Sequence, residues 1–235
     1  MNKHPFLIVT ALFAGSLFAA DSNPKDEIAA AAKKLGEAAN YSWKTTVAVP
    51  EGSRFRPGPS EGTTEKDGFT HVKMEFGDDT THAVMKGEKA AVRTPDGGWQ
   101  SLADLEKAEG PARFLGFMLG SFKAPAVQAA SIAAGVKEFT KDGDAFSGEL
   151  SEDGAKTLLS FRARAGGDGP AISGAKGSAK FWLKDGALAK YEFKVSGKMS
   201  FNGNDRDVDR TTTVEIKDVG TTKVEVPDEA KKKLE

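Results

Sequence analysis

The chain has no cysteine in its 235 residues. That excludes a disulfide framework, a thiolate metal site, a thiol nucleophile and lipid attachment through a cysteine thioether. Whatever folds here is held by apolar burial alone. Histidine is scarce as well, with three in all: His4, His71 and His82. A surplus of one charge sign is also missing, since 33 Lys and Arg stand against 34 Asp and Glu. The balance gives no reason to expect nucleic acid, and it offers no basic membrane-seeking face. Long hydrophobic runs are absent except at the start, where Lys3 precedes an uncharged stretch from Pro5 to Ala19. At about 15 residues it falls short of the roughly 20 needed to span a bilayer. It ends in Leu17-Phe18-Ala19-Ala20, followed at once by polar residues from Asp21. This reads as a cleaved signal peptide over residues 1–20, cut after Ala19 or Ala20, with no transmembrane segment left after cleavage. Residues 21–235 are then a single domain, periplasmic or secreted.

What is abundant is turn chemistry. Asp-Gly occurs six times, at Asp67, Asp96, Asp142, Asp153, Asp168 and Asp185, and Asn202-Gly203 adds another turn dipeptide. Such pairs supply the positive backbone angles of tight hairpins. Between them apolar residues alternate with polar ones. Tyr191, Phe193, Val195, Met199 and Phe201 share one face against Glu192, Lys194, Ser196, Lys198 and Ser200, and the same period runs through Tyr41 to Val49 and Val72 to Phe76. These are strands with one wet side. A three-residue loop at Lys184-Asp185-Gly186 pairs Phe181 with Ala189, and a two-residue loop at Asn202-Gly203 pairs Tyr191 with Val214. Residues 175–226 thus form an antiparallel meander of three or four strands.

Helices are few. Asn23 caps and Pro24 opens the first, with Ile28, Ala32, Leu35 and Ala39 on one face as far as Asn40. Ser101 with Asp104 opens a short second. Pro111 to Phe122 is apolar nearly all round, so it is either buried or a cover for something apolar. A fourth helix runs from Pro125 to about Gly135, and a fifth from Ser151 to Phe161. Pro50–Gly62 and Ala165–Gly177 read as loops.

Catalytic constellations are missing. His-Glu-x-x-His does not occur, and the one Gly-x-Ser-x-Gly, Gly58-Pro59-Ser60-Glu61-Gly62, lies in the Pro50–Gly62 loop rather than between a strand and a helix, so it is no nucleophile elbow. Gly167-Asp168-Gly169-Pro170 lacks the third glycine of a dinucleotide loop. Asp205, Asp207 and Asp209 alternate like a calcium loop, but Arg210 and Ile216 occupy the glycine and glutamate positions. They read as a hydrated acidic edge offset by Arg206 and Arg210. A turn aligning Val72 with Met85 leaves His71 and His82 on the wet face, four residues apart along the strand. That is on the order of 13 Å, too far for a shared metal. Trp182, opposite in facing to Phe181 and Leu183, is expected under lysine stems or a terminal helix.

The leader, the helix running into Tyr41-Ser42-Trp43, the successive long strands, the helical insertion from Ser101 to Gly135 and the closing Val224-Glu225-Val226-Pro227 together resemble the periplasmic lipoprotein carrier superfamily, the LolA-like and LppX-like proteins. The resemblance implies an α+β fold: a large curved antiparallel sheet, an incomplete β-barrel, with an N-terminal helix and a helical insertion covering its concave apolar face. It further implies non-covalent shielding of lipid or lipoprotein acyl chains in an aqueous compartment. An envelope protein is a second expected partner, independent of the resemblance. No motif carries ligand residues over. The residues themselves suggest Phe114, Phe117, Met118 and Phe122 as a lid, with Trp43, Tyr191 and Phe193 facing it from the sheet. No cofactor, metal or catalytic residue is expected. The competing readings are an exported structural or interaction module with a filled core, and an exported hydrolase, which lacks its residues.

Overall fold

The structure is a computed structural model that describes residues 23–53, 56–77, 79–94, 97–160, 170–201 and 204–235. The expected leader lies outside these residues, as do Arg54, Phe55, Phe161, Asp168-Gly169 and the Asn202-Gly203 turn.

Helix α1 (Pro24–Glu37) starts as its sequence dictates: the Asn23 side chain accepts a hydrogen bond from the Lys25 amide, Pro24 occupies the first turn, and Asp26 and Glu27 sit at the positive end of the dipole. Ile28, Ala31, Ala32 and Leu35 are buried. The helix stops short of Asn40 because Ala38 turns extended, and Ala39, expected on the buried face, is exposed.

Eleven antiparallel strands follow: β1 (Asn40–Ala48), β2 (Ser60–Glu65), β3 (Thr70–Phe76), β4 (Asp79–Lys86), β5 (Lys89–Arg93), β6 (Trp99–Ser101), β7 (Thr140–Asp142), β8 (Ala145–Glu149), β9 (Ala171–Lys184), β10 (Ala187–Phe201) and β11 (Asn204–Lys217). Their spatial order is β6-β5-β4-β3-β2-β1-β11-β10-β9-β8-β7. Two meanders meet at the β1–β11 ladder, where Trp43 pairs with Ile216. β6 and β7 stay apart as edges, so the sheet is an open, incomplete barrel.

Register agrees with expectation at β10–β11, where Tyr191 lies opposite Val214. At β9–β10 it does not. The loop has two residues, Asp185 and Gly186, both at positive φ (53° and 69°), so Ala187 pairs with Lys184. A bulge then follows, after which Tyr191 faces Phe181. Two positive angles match the twist of the flanking strands better than the three-residue alternative, and the bulge absorbs the odd residue. The glycine-rich stretch before Gly177, expected as a loop, is strand from Ala171 onward. Its glycines admit close packing: a Cβ on Gly177 would stand 2.2 Å from the Lys194 carbonyl oxygen. Likewise Ser60 to Gly62 belongs to β2 rather than to the preceding loop.

The helices cover one face. α2 (Leu102–Lys107) carries the Ser101–Asp104 capping box. α3 (Pro111–Gly120) ends before Phe122, and α4 (Pro125–Gly135) follows. α5 (Glu152–Leu159) is capped by Ser151, and Arg210 on β11 donates to the Leu158 carbonyl at 2.8 Å. Residues 218–227 form no strand, which corrects the expected closing segment. Instead a short helix, α6 (Asp228–Lys232), places Ala230 and Leu234 against Val84, Ala91 and Trp99 on the opposite face of the sheet. No helix among the described residues is long and apolar enough to cross a membrane.

Candidate functional site

The helix-covered inner face divides into two unlike halves. Over β8–β11 the side chains are large: Phe146, Phe181, Tyr191 and Phe193 are all buried, and α1 and α5 pack on them. The chain's two tyrosines, Tyr41 and Tyr191, fasten α4 to this half. Tyr191 donates its hydroxyl to Gln128 Oε1 at 2.6 Å, and the Tyr41 hydroxyl accepts from the Ala126 amide at 3.4 Å. Burial pushes the Tyr41 hydroxyl up to about 12, and pushes Tyr191 well above the usual phenol range. Tyrosine is placed where an apolar ring must end in a polar contact to a helix start. This half is full.

Over β2–β5 the floor is made of small or pliable groups. Gly62, Val72, Ala83, Ala90 and Val92 are buried there, together with Met74 and Met85. Trp43 lies across this floor. It pairs with Gly62, and a Cβ on that glycine would come within 2.1 Å of the indole, so the ring rests directly on the β2 backbone. Phe122 stacks on the other side of Trp43, with centroids 6.3 Å apart and planes at 30°.

α3 is the cover. Its closest packing is against α2, where Gly116 lets the Leu105 side chain approach. Ala112, Leu115, Met118 and Phe122 pack partly on the core, and Leu119 is buried. Phe114 is 47 % exposed, and Phe117 is half-buried with the Arg113 guanidinium over its ring. Gly110 at φ 64° joins α2 to α3. At the far end of α3 a cleft of about 250 Å³ opens between Leu119, Gly120 and Phe122 on one side and Met85, Lys89 and Ala90 on the other.

The seven sequence-derived ligand residues thus part into groups. Trp43 and Phe122 meet as a stack. Tyr191 and Phe193 lie in the filled half, Met118 touches the core, and Phe114 and Phe117 face outward. Of the seven, Phe122 alone lines the cleft. Sequence reasoning passed over Met85, Leu119 and Ala90, although the alternation of β4 and β5 puts Met85 and Ala90 on the same face as Ala83 and Val92.

On the outer face the histidines correct the sequence expectation. Val72 pairs with Ala83, because the turn opens at Gly77, φ 62°, one residue earlier than supposed, which shifts the register by two. The faces are unchanged, but His71 and His82 become diagonal neighbours, with His71 Nε2 3.1 Å from His82 Nδ1. Burial and the His82 charge hold the His71 imidazole below its ordinary value, against an opposing contribution from Glu225. Burial, then Arg93 and Lys73, does the same for His82. Asp205 and Asp209 pair with Lys198 and Lys194, at 3.7 and 3.8 Å. Trp182 lies beneath Lys180 and Lys190, whose ammonium groups sit 5.0 and 4.5 Å from its ring.

No family model matches the chain, and no curated protein matches it. Among solved structures it is similar to the lipoprotein LppX of Mycobacterium tuberculosis, at 9 % identity and TM-score 0.46, over 85 % of this chain and 96 % of that one. It is also similar to LprF of Mycobacterium bovis, at 12 % identity and TM-score 0.46, over 88 % and 96 %. These are likenesses of fold.

Proposed function

We propose that the protein is an exported, non-catalytic binder of an acyl-bearing hydrophobic ligand, which it houses between β2–β5 and α3. One observation carries this: half of the inner sheet face is floored by small residues and methionines, and a cleft opens between that floor and the end of α3. Methionine adapts its shape to irregular apolar partners, and Met74 and Met85 both lie on this floor.

The cleft of about 250 Å³ lies below the roughly 300–1,000 Å³ of ligand sites, so uptake requires α3 to move outward. Gly110 on one side of α3 and Gly120 on the other supply the pivots. Roughly ten methylenes contribute about 8 kcal/mol on burial, enough to offset such a displacement and leave useful affinity. Residues 1–20 act in this reading as the leader, and the remainder works as a single unit at the envelope.

The test is native mass spectrometry with lipid extraction on protein exported by its own leader and purified without detergent. Bound lipid near unit ratio is expected. Ala90→Leu, which fills the floor, should reduce uptake while leaving the fold intact. A clean apo mass that persists after incubation with mixed envelope lipids overturns the proposal. The filled half of the core then stands for the whole, and the molecule is an interaction module.

A further inference from the structure

The near-neutral total charge conceals a local imbalance. Residues 110–137 contain no acid at all, and their charges are Arg113, Lys123 and Lys137. The same stretch holds two of the three large apolar side chains that face solvent among the described residues, Phe114 and Val127. On α3, Arg113, Phe114 and Phe117 fall within one 100° sector of the helix, opposite the sector of Ala112, Leu115 and Leu119 that packs inward. Among the described residues no carboxylate holds Arg113 or Lys123: the former lies over the Phe117 ring, and the latter reaches Ser131 Oγ at 3.4 Å. Aromatic side chains between cations that no described carboxylate pairs, with no acid from residue 110 to residue 137, fit the boundary of an anionic bilayer, where rings enter the acyl layer and cations stay among headgroups.

We infer that the outward face of α3, Arg113, Phe114 and Phe117 with Lys123 just beyond, docks the protein on an anionic lipid surface. This goes beyond the ligand reading and stands without it, since docking uses the outer side of α3 and uptake the inner. The acidic boundary is Glu109, one turn before Arg113, which limits the contact to α3 and the segment after it.

The experiment is flotation of the exported protein with vesicles of phosphatidylglycerol and phosphatidylcholine at equal parts, against vesicles of phosphatidylcholine alone. All variants differ only near α3, so any contribution from residues 1–20 is common to them. Binding to the mixed vesicles is expected, weakened about five-fold by Arg113→Gln, the share of one surface cation. Phe114→Asp should weaken it at least ten-fold, and Glu109→Gln should strengthen it. Phe114→Trp, a variant that keeps the apolar surface, should shift its emission to the blue on mixed vesicles. Uptake of monomeric fatty acid by Phe114→Asp should equal that of the parent, which separates this inference from the ligand reading. Equal flotation of all variants, absence of flotation, or concentration-dependent self-association that removes Phe114 from solvent overturns it.

Discussion

Gly62 shows how one missing side chain shapes the region. Because the Trp43 indole occupies the space where a Cβ would stand, Gly62→Ala must displace the ring and with it the Phe122 stack. Overpacking of this kind costs about 1–3 kcal/mol. Urea unfolding should show that loss together with altered tryptophan emission, and an unchanged midpoint would contradict the close approach. The tyrosines offer a second check at this scale. Both phenols are raised in the fold, so between pH 10 and about 12 the native state holds protons that the unfolded chain has lost. Stability is therefore full below pH 10 and declines as pH rises through that window. Absorbance of tyrosinate should appear only as the protein unfolds or near pH 12, and early titration of either tyrosine would place its hydroxyl in water.

Among elements, the tail beyond β11 has the most to say. It crosses the outer face past His71, where Glu225 contacts the imidazole, and ends with α6 on Val84, Ala91 and Trp99. The facing charges are His71 and Lys73 on β3, His82 on β4, Arg93 on β5 and Glu225 on the tail. Both imidazoles titrate below the ordinary 6.5 in the fold, so as pH falls the unfolded chain takes up protons first. Their contribution is complete above about pH 6.5 and is lost as pH drops below it. Thermal unfolding from about pH 7.5 to 5 should lower the parent's Tm more than that of His71→Gln/His82→Gln, and parallel curves would refute the coupling. The same elements show what a sequence discloses. Alternation and turn dipeptides reveal the faces of β1, β3, β10 and β11 and the Tyr191–Val214 register. They do not reveal whether Gly77 or Asp79 sits in the turn, and that one-residue shift, doubled in the register, decides whether two histidines meet. Helix α3 was legible because apolar residues surround it. Its outward Phe114 was not, because a periodic pattern cannot say which side of such a helix the core will claim. Gly177 looks like part of a loop in composition and acts as strand, since packing overrides propensity where backbones approach.

For the whole molecule the unlike halves imply unlike responses to a ligand. Because a ligand that binds only the folded state stabilises it by mass action, saturation with a long-chain fatty acid should raise Tm, and by an amount that grows with free ligand. Hydrogen exchange should slow in β2–β5 and α3 and change little in β9–β11. Uniform protection would locate the ligand elsewhere. The halves are also stitched together in one place. Within each meander most neighbouring strands are close in sequence, whereas Ser42 pairs with Lys217 across almost the entire chain. Closing that ladder is an entropic cost that local hairpins do not incur, and contacts of such separation slow folding. The β1–β11 seam therefore sets the tempo at which the barrel assembles. Each meander can gather its own turns early, and the wait is for two distant strands to find each other.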